Sequence, residues 1–324
     1  MRILIIGAAG MVGRKLADRL ARDGRLGHHE ISHLDMVDVV LPTAPANPGF
    51  RVKTMAADIS AISAMPPVLS SRPDVIFHLA AIVSGEAEQN FDKGYAINLD
   101  GTRFLLEAIR HIGSGYRPRL VFTSSIAVFG APFPDAIDDE FLSAPLTSYG
   151  TQKAIGELLL SDYTRKGFVD GIGIRLPTIC VRPGKPNLAA SGFFSNIIRE
   201  PLAGQEAVLP VGEEVRHWHA SPRAGVNFLL HAATLDGESL GARRCLSLPG
   251  LSVTVAEQIA ALRRVAGAAV AARIRHQPDA AIAKIVAGWP RNFDTARARK
   301  LGFAAETSFD EIIRVHIEDE QITL

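Results

Sequence analysis

The sequence predicts an α/β fold: a Rossmann-type doubly wound parallel sheet with a smaller, mixed substrate-binding lobe. Three observations predict it. Short apolar runs alternate with helix-period segments through the first half, and a glycine-rich turn, Gly7-Ala-Ala-Gly10-Met-Val-Gly13, follows the first run. The alternation then loosens after Leu176. Short apolar strands separated by helices mark βαβ units whose sheet is buried on both faces.

The predicted strands are Ile3–Ile6, Ile31–Val40, Val52–Met55, Val75–Leu79, Leu120–Thr123 and Gly171–Leu176. Between them the apolar period predicts helices over Met11–Arg22, Ile59–Leu69, Glu86–Ile112 and Tyr149–Lys166. The Pro-rich piece from Leu41 to Gly49 reads as a surface loop. Pro177, Pro183, Gly184 and Pro186 crowd one stretch, which reads as a loop crossing a cleft rather than a strand. Helices are expected at Gly192–Leu202, Ser221–Leu235, Val253–Ala266, Asp279–Val286 and Ser308–Ile322. This divides the chain into a Rossmann domain, 1–178, and a lobe, 179–324. A segment near 225–255, with a strand at Arg244–Leu248, is expected to return to the main sheet. No internal repeat or low-complexity tract interrupts the pattern.

At 324 residues the chain can bury a large core, and 47% hydrophobic with 21% charged residues is ordinary for a globular protein. A net charge of +1 gives no support for nucleic acid or an anionic membrane as partner. Cys180 and Cys245 make neither a disulfide framework nor a zinc ligand set, and read as small buried hydrophobes. The apolar start is too short for a signal peptide, and no window reaches the roughly 18 apolar residues of a membrane span. The expectation is a cytoplasmic protein.

The glycine turn carries the first chemistry. Gly7 permits the tight strand-to-helix turn, and Gly10 lets a pyrophosphate approach the backbone. Gly13 allows close helix–sheet packing, while the free N–H groups from Met11 and Val12 onward receive phosphate. An acidic residue ending the second strand should hold the adenosine ribose diol. Asp38 lies nearer the C-terminal edge than Asp35, which is left solvated or paired with a neighbour. A carboxylate there repels a 2′-phosphate, so NAD is expected, with NADP possible through Arg2 or a loop arginine. Asp58, with Ile59, ends the third strand; it reads either as an acceptor for the adenine amino group or as the cap of a helix starting at Ser60. His78-Leu79-Ala80-Ala81 ends the fourth strand with small residues where a flat cofactor must lie. His78 itself reads as a buried, hydrogen-bonded histidine.

Tyr149 and Lys153 stand one helical turn apart, behind an apolar strand that ends in Ser124-Ser125. A tyrosine is a poor base at its ordinary pKa of about 10. A lysine on the same helix face can favour the phenolate, and a serine hydroxyl can hold the substrate oxygen. Ser125, Tyr149 and Lys153 are therefore the expected catalytic group. No side chains are spaced as ligands for a metal.

These motifs, with Asn98-Leu-Asp-Gly-Thr102, Ser124-Ser-Ile-Ala-Val-Phe-Gly130 and Arg299-Lys-Leu-Gly-Phe303, resemble the extended short-chain dehydrogenase/reductase family, which contains nucleotide-sugar epimerases and dehydratases. The resemblance implies that Tyr149 is the base, that Lys153 also holds the nicotinamide ribose, and that Ser125 orients the substrate. It implies that Asn98 supports the helix and a proton relay, and that Pro177, Thr178 and Ile179 give backbone contacts to the nicotinamide carboxamide. It also implies a homodimer, formed by the long helix and the tyrosine helix as a four-helix bundle.

Dehydratases of the family carry an acidic pair where this chain has Ile126-Ala127, and epimerases commonly carry Arg-x-Phe-Asn where it has Arg175-Leu-Pro-Thr. The stretch Arg175–Asn187, with Asn187–Phe194 and Arg216–His219, resembles instead members that oxidise the 2-hydroxyl of a small sugar acid to the 2-keto acid. A polyhydroxy acid needs a carboxylate anchor, and an arginine offers a bidentate fork. Arg182 is the first choice, its other reading being a surface arginine beside Pro183. Ser84, Glu86 and Asn187 are candidates for substrate hydroxyls. Trp218 and His219 read equally as site or as core. The alternatives are an NAD-dependent sugar-nucleotide epimerase and a non-catalytic NAD-binding scaffold.

Overall fold

The computed structural model describes residues 1–113, 115–184 and 190–324. Seven parallel strands form the main sheet: β1 (Arg2–Ile6), β2 (His33–Asp38), β3 (Arg51–Ala56), β4 (Val75–His78), β5 (Arg119–Ser125), β6 (Asp170–Leu176) and one late strand, Cys245–Ser247. The late strand pairs with β6 at the sheet's edge, and the spatial order ends there in β6-β5-β4-β1-β2-β3. The order reverses between β1 and β4, which pair from Ile3 with Val75 to Ile6 with His78. A crevice opens where the chain leaves these two strands in opposite directions, the usual ligand site of such sheets.

Alternation along the strands explains burial on both faces. Ile3 and Ile5 pack with Phe77, Val121 and Ile172 under helix α1 (Met11–Asp23) and the helix Pro222–Thr234. Leu4 and Ile6 point the other way, with Ile76, Leu120 and Phe122, under α2 (Gly101–Ile112) and α3 (Ser148–Arg165). A separate core gathers Phe194, Ile197 and Ile198 of α4 (Gly192–Leu202) with Val255, Leu262, Ile312 and Ile313. Two short strands at the crevice, β7 (Thr178–Ile179) and β8 (Arg216–Ala220), pair in parallel, and Leu251–Thr254 adds an antiparallel neighbour to β8. Among the described residues no helix is long and apolar enough to cross a membrane.

Three expectations need correction. The helix expected over Glu86–Ile112 is broken into Ser84–Gln89, Phe91–Gly94, a wide π turn over Tyr95–Asp100, and α2. Asn90 leaves the helical conformation, and the buried Asn98 amide is drawn to the Ile82 backbone instead of facing solvent. The helix expected over Ile59–Leu69 is a 3₁₀ turn and one short turn, because Pro66 and Pro67 remove two donors. The loop expected after Leu176 contains β7, since its prolines flank the paired residues rather than interrupt them.

Candidate active site

The turn after β1 is built for close approach. Gly7 has φ +94°, and a Cβ there would meet the Ala80 nitrogen at 2.5 Å. Its N–H donates to the Val37 carbonyl at 2.8 Å, and Leu79 and Ala80 donate to Ile6, so the ends of β1, β2 and β4 are tied together. A Cβ on Gly13 would collide with the Gly7 carbonyl, which explains how tightly α1 sits. Gly10 is different: a Cβ would meet only the Gly7 oxygen, at 3.4 Å, leaving space above the helix start. Such an open cradle with unpaired amides fits a pyrophosphate.

Asp38 accepts from Ala9 N at 2.9 Å and from Val39 N at 2.7 Å, one hydrogen bond from the glycine turn. Asp35 is buried and paired with His33 at 3.0 Å, as its second reading had it. Asp58 accepts from the Ser60 amide and hydroxyl at 2.9 and 2.7 Å, a local turn, while the Ile59 side chain is buried in the core. Arg2 cannot serve a 2′-phosphate. Its backbone and guanidinium bond Asp74 and Ser71 at the opposite, N-terminal edge of the sheet.

A cavity of about 480 Å³ runs from Gly7, Gly10 and Gly13 past Leu79 and Ala81 to Ser125, Tyr149 and Lys153. Pro177, Thr178, Ile179 and Arg182 form its far wall, with Ser84 at one side. Ala80, Asp38, Asp58, Ile59 and Asn98 lie outside that lining. Asn98 stands behind it, accepting from Ile82 N at 2.9 Å and donating to the Gln152 side chain at 2.8 Å. Glu86 is turned away and takes Lys93 at 2.6 Å. Two helical positions beyond Ser84, it falls on the opposite side of the turn and outside that lining. Asn187 lies outside the described residues.

Helix α3 starts at Thr147, whose hydroxyl caps Gly150, and Gly150 lets the helix rest against the Ala127 carbonyl. That contact sets Tyr149 beside Ser125. Burial pushes the Tyr149 phenol above its ordinary pKa, while the Arg182 guanidinium and the Ser125 hydroxyl pull it back. The sequence assigned the opposing charge to Lys153. In the structure its Nζ donates to the Thr123 carbonyl at 2.8 Å and lies 5.8 Å from the Tyr149 ring centre. Burial lowers Lys153 to about 8, against the pull of Glu157. Glu157 is held by a two-pronged bond from Arg175 at 2.9 and 2.7 Å and receives the Ser124 hydroxyl at 2.5 Å.

Arg182 is half-buried, so its surface reading is corrected: Nε donates to Ile179 O at 3.0 Å and an NH2 group to Ser191 at 2.9 Å. Ser195, Asn196, Arg199, His217 and Trp289 also line the cavity and escaped the sequence reading. His217 had one signal, a polar residue between apolar neighbours in Arg216-His-Trp-His219. Trp218 and His219 resolve as core: both are buried, Trp218 donating to Leu248 O and His219 meeting Gln258. His78 is buried and bonds the Thr102 hydroxyl at 2.9 Å. The Cys180 thiol is buried and pushed up to about 12.

A buried tyrosine, a serine hydroxyl and a buried lysine at the mouth of a dinucleotide crevice fit a nicotinamide-dependent dehydrogenase or reductase site. The chain belongs to the NAD dependent epimerase/dehydratase family, whose sequence model matches residues 3–222, and NAD is the cofactor of that family. It is 49% identical to D-erythronate dehydrogenase of Cupriavidus necator, over 98% of each chain. It is 43% identical to D-erythronate dehydrogenase of Haemophilus influenzae, over 98% of this chain and 99% of that one. A solved structure described as the nucleoside-diphosphate-sugar epimerase from Agrobacterium tumefaciens is 64% identical, covers 99% of this chain and 94% of that one, and superposes with a TM-score of 0.97.

Proposed function

We propose that this chain is an NAD-dependent dehydrogenase that oxidises the 2-hydroxyl of a small sugar acid, D-erythronate or a close relative, to the 2-keto acid. The observation that carries the reading is that one cavity is lined by Tyr149, Ser125 and Lys153 and, on its far wall, by the cation Arg182, whose charge opposes the rise that burial causes in the Tyr149 pKa. An alcohol next to a carboxylate needs a base and an anion anchor side by side. Two relatives named for D-erythronate support the same substrate class.

In this reading Tyr149 removes the hydroxyl proton and Ser125 steadies the oxygen that becomes a carbonyl. Arg182 holds the carboxylate in a charge-assisted fork. Ser84 takes a substrate hydroxyl. Lys153 holds the cofactor ribose and keeps a positive charge beneath it. Gly7 to Gly13 hold the pyrophosphate, Asp38 the adenosine ribose, and Leu79 to Ala81 with Pro177 to Ile179 enclose the nicotinamide. When bound, NAD supplies the hydride acceptor. Residues 1–178, joined by the returning segment near 225–255, form the NAD-binding part, and 179–324 the substrate-binding lobe. The working form is a cytoplasmic homodimer.

Sugar-nucleotide epimerisation is the second reading, favoured by the name of the 64% identical solved structure. Purified protein with NAD and D-erythronate should produce NADH, seen by its absorbance, and Tyr149→Phe should lower the rate by roughly a hundredfold or more. Conversion of a UDP-sugar without net NADH, and silence toward sugar acids, would favour the epimerase and defeat the dehydrogenase.

A further inference from the structure

His217 lies on β8 with its ring buried and both ring nitrogens engaged. Nδ1 is 2.9 Å from the Pro290 carbonyl, and Nε2 is 2.7 Å from the Thr178 hydroxyl. A carbonyl can only accept, so Nδ1 carries the proton. Burial lowers the ring's pKa to about 4, so the ring is neutral at ordinary pH and Nε2 is an acceptor. The Thr178 hydroxyl must then donate to it. Rotation of the ring is blocked by Phe194, stacked at 5.2 Å and 5°, and by Trp289 at 5.2 Å.

With its proton committed, the Thr178 oxygen offers only lone pairs, and Thr178 lines the cavity together with Tyr149 and Arg182. We infer that Thr178, polarised by His217, is a specificity-determining residue: an acceptor-only oxygen that reads a neutral O–H or N–H donor on the bound ligand. The inference rests on the dehydrogenase reading, in which two such donors enter the cavity: a hydroxyl of the sugar acid and the carboxamide N–H of nicotinamide. A carboxylate or ketone oxygen is refused at this point, because two acceptors would face each other without a proton. The carboxylate is thereby left to Arg182, whose Nε is fixed on the Ile179 carbonyl one residue along. The same histidine ties Pro290, and with it Trp289, to the cavity wall, so the acceptor and the roof above it are set by one ring.

The test uses Thr178→Val, which keeps the shape and removes the acceptor, Thr178→Ser, which restores it, and His217→Asn. Asparagine can still donate to the Pro290 carbonyl but loses the acceptor for Thr178. Each variant is titrated with NAD and with its acetylpyridine analogue, which lacks the carboxamide N–H. Each is then assayed with D-erythronate and its deoxy analogues. If the donor is the carboxamide, Thr178→Val weakens NAD binding by on the order of tenfold and leaves the analogue unchanged. If the donor is a substrate hydroxyl, NAD binding is unchanged, the KM for D-erythronate rises on the order of tenfold or more, and one deoxy analogue shows no further loss. In either case Thr178→Ser recovers most of the effect. His217→Asn weakens the same ligand, and the double variant loses no more than Thr178→Val alone. Wild-type behaviour of Thr178→Val toward every ligand overturns the inference, as does Thr178→Ser failing equally with Thr178→Val. An absence of D-erythronate turnover in the wild type would defeat the substrate reading while the NAD titrations still decide the cofactor arm.

Discussion

The guanidinium of Arg182 opposes the effect of burial on the Tyr149 phenol, while the Lys153 ammonium is directed at the Thr123 carbonyl 2.8 Å away. Tyr149 and Arg182 line one cavity, so in the proposed reaction the base and the carboxylate anchor would be coupled through that charge. Lys153, one turn along α3, lines the same cavity.

Replacing Arg182 by glutamine should have two separable effects. The KM for the sugar acid should rise roughly tenfold to a hundredfold, the size of a lost charge-assisted fork. The phenol loses its opposing charge, so its pKa rises further and the ascending, acid-side limb of the kcat profile, where the base loses its proton, moves to higher pH. Arg182→Lys restores the limb but not the KM. A limb that stays in place in Arg182→Gln would separate the two residues.

Gly10→Ala and Gly13→Ala should fail in different ways. A Cβ at Gly13 collides with the Gly7 carbonyl and meets Ala8 Cα at 2.8 Å, so Gly13→Ala lowers the melting temperature. A Cβ at Gly10 meets only one oxygen at 3.4 Å. Gly10→Ala should fold normally and lose NAD affinity, measured by titration, because its methyl occupies the phosphate approach.

Acid should destabilise the fold before its carboxylates titrate fully. Burial lowers His78 to about 3, His217 to about 4 and His316 to about 4, and His219 well below its ordinary value. In the unfolded chain these groups take up protons near pH 6.5. The unfolded state therefore binds more protons than the folded one as pH falls from about 6.5 toward 4, and stability falls with it. Melting temperatures across that window should show the slope, and His217→Asn should flatten it.

Asn98→Ala should act at a distance. It leaves the Ile82 amide and the Gln152 side chain without their partner, at a cost on the order of 1–3 kcal/mol. Ile82 lines the cavity, so NAD affinity should fall together with the melting temperature. A normal NAD titration in a destabilised variant would confine Asn98 to a role in folding.

The elements nearest the chemistry were legible in the sequence because local patterns dictate them. The strand, glycine turn and helix from Arg2 to Asp23 follow from an apolar run, three glycines and a helical period. Tyr149 and Lys153 share a helix face by spacing alone, and Gly192–Leu202 is a helix in sequence and structure alike. The break near Asn98 was not legible, because its cause is a buried amide bonding a backbone sixteen residues away. Thr178 and His217 were equally hidden as a pair, being 39 residues apart and joined only by the pairing of β7 with β8.

The sequence by itself determined the parallel sheet, the dinucleotide turn and the placing of Tyr149 and Lys153 one turn apart on a helix. Those depend on periodicity and on residues close together in the chain. The tertiary structure alone decided that Arg182 shares a cavity with Tyr149, that Glu86 pairs with Lys93, and that the His217 ring meets the Thr178 hydroxyl. Charge and proton direction act through space, and the distances that set them exist only once the two parts of the chain are packed together.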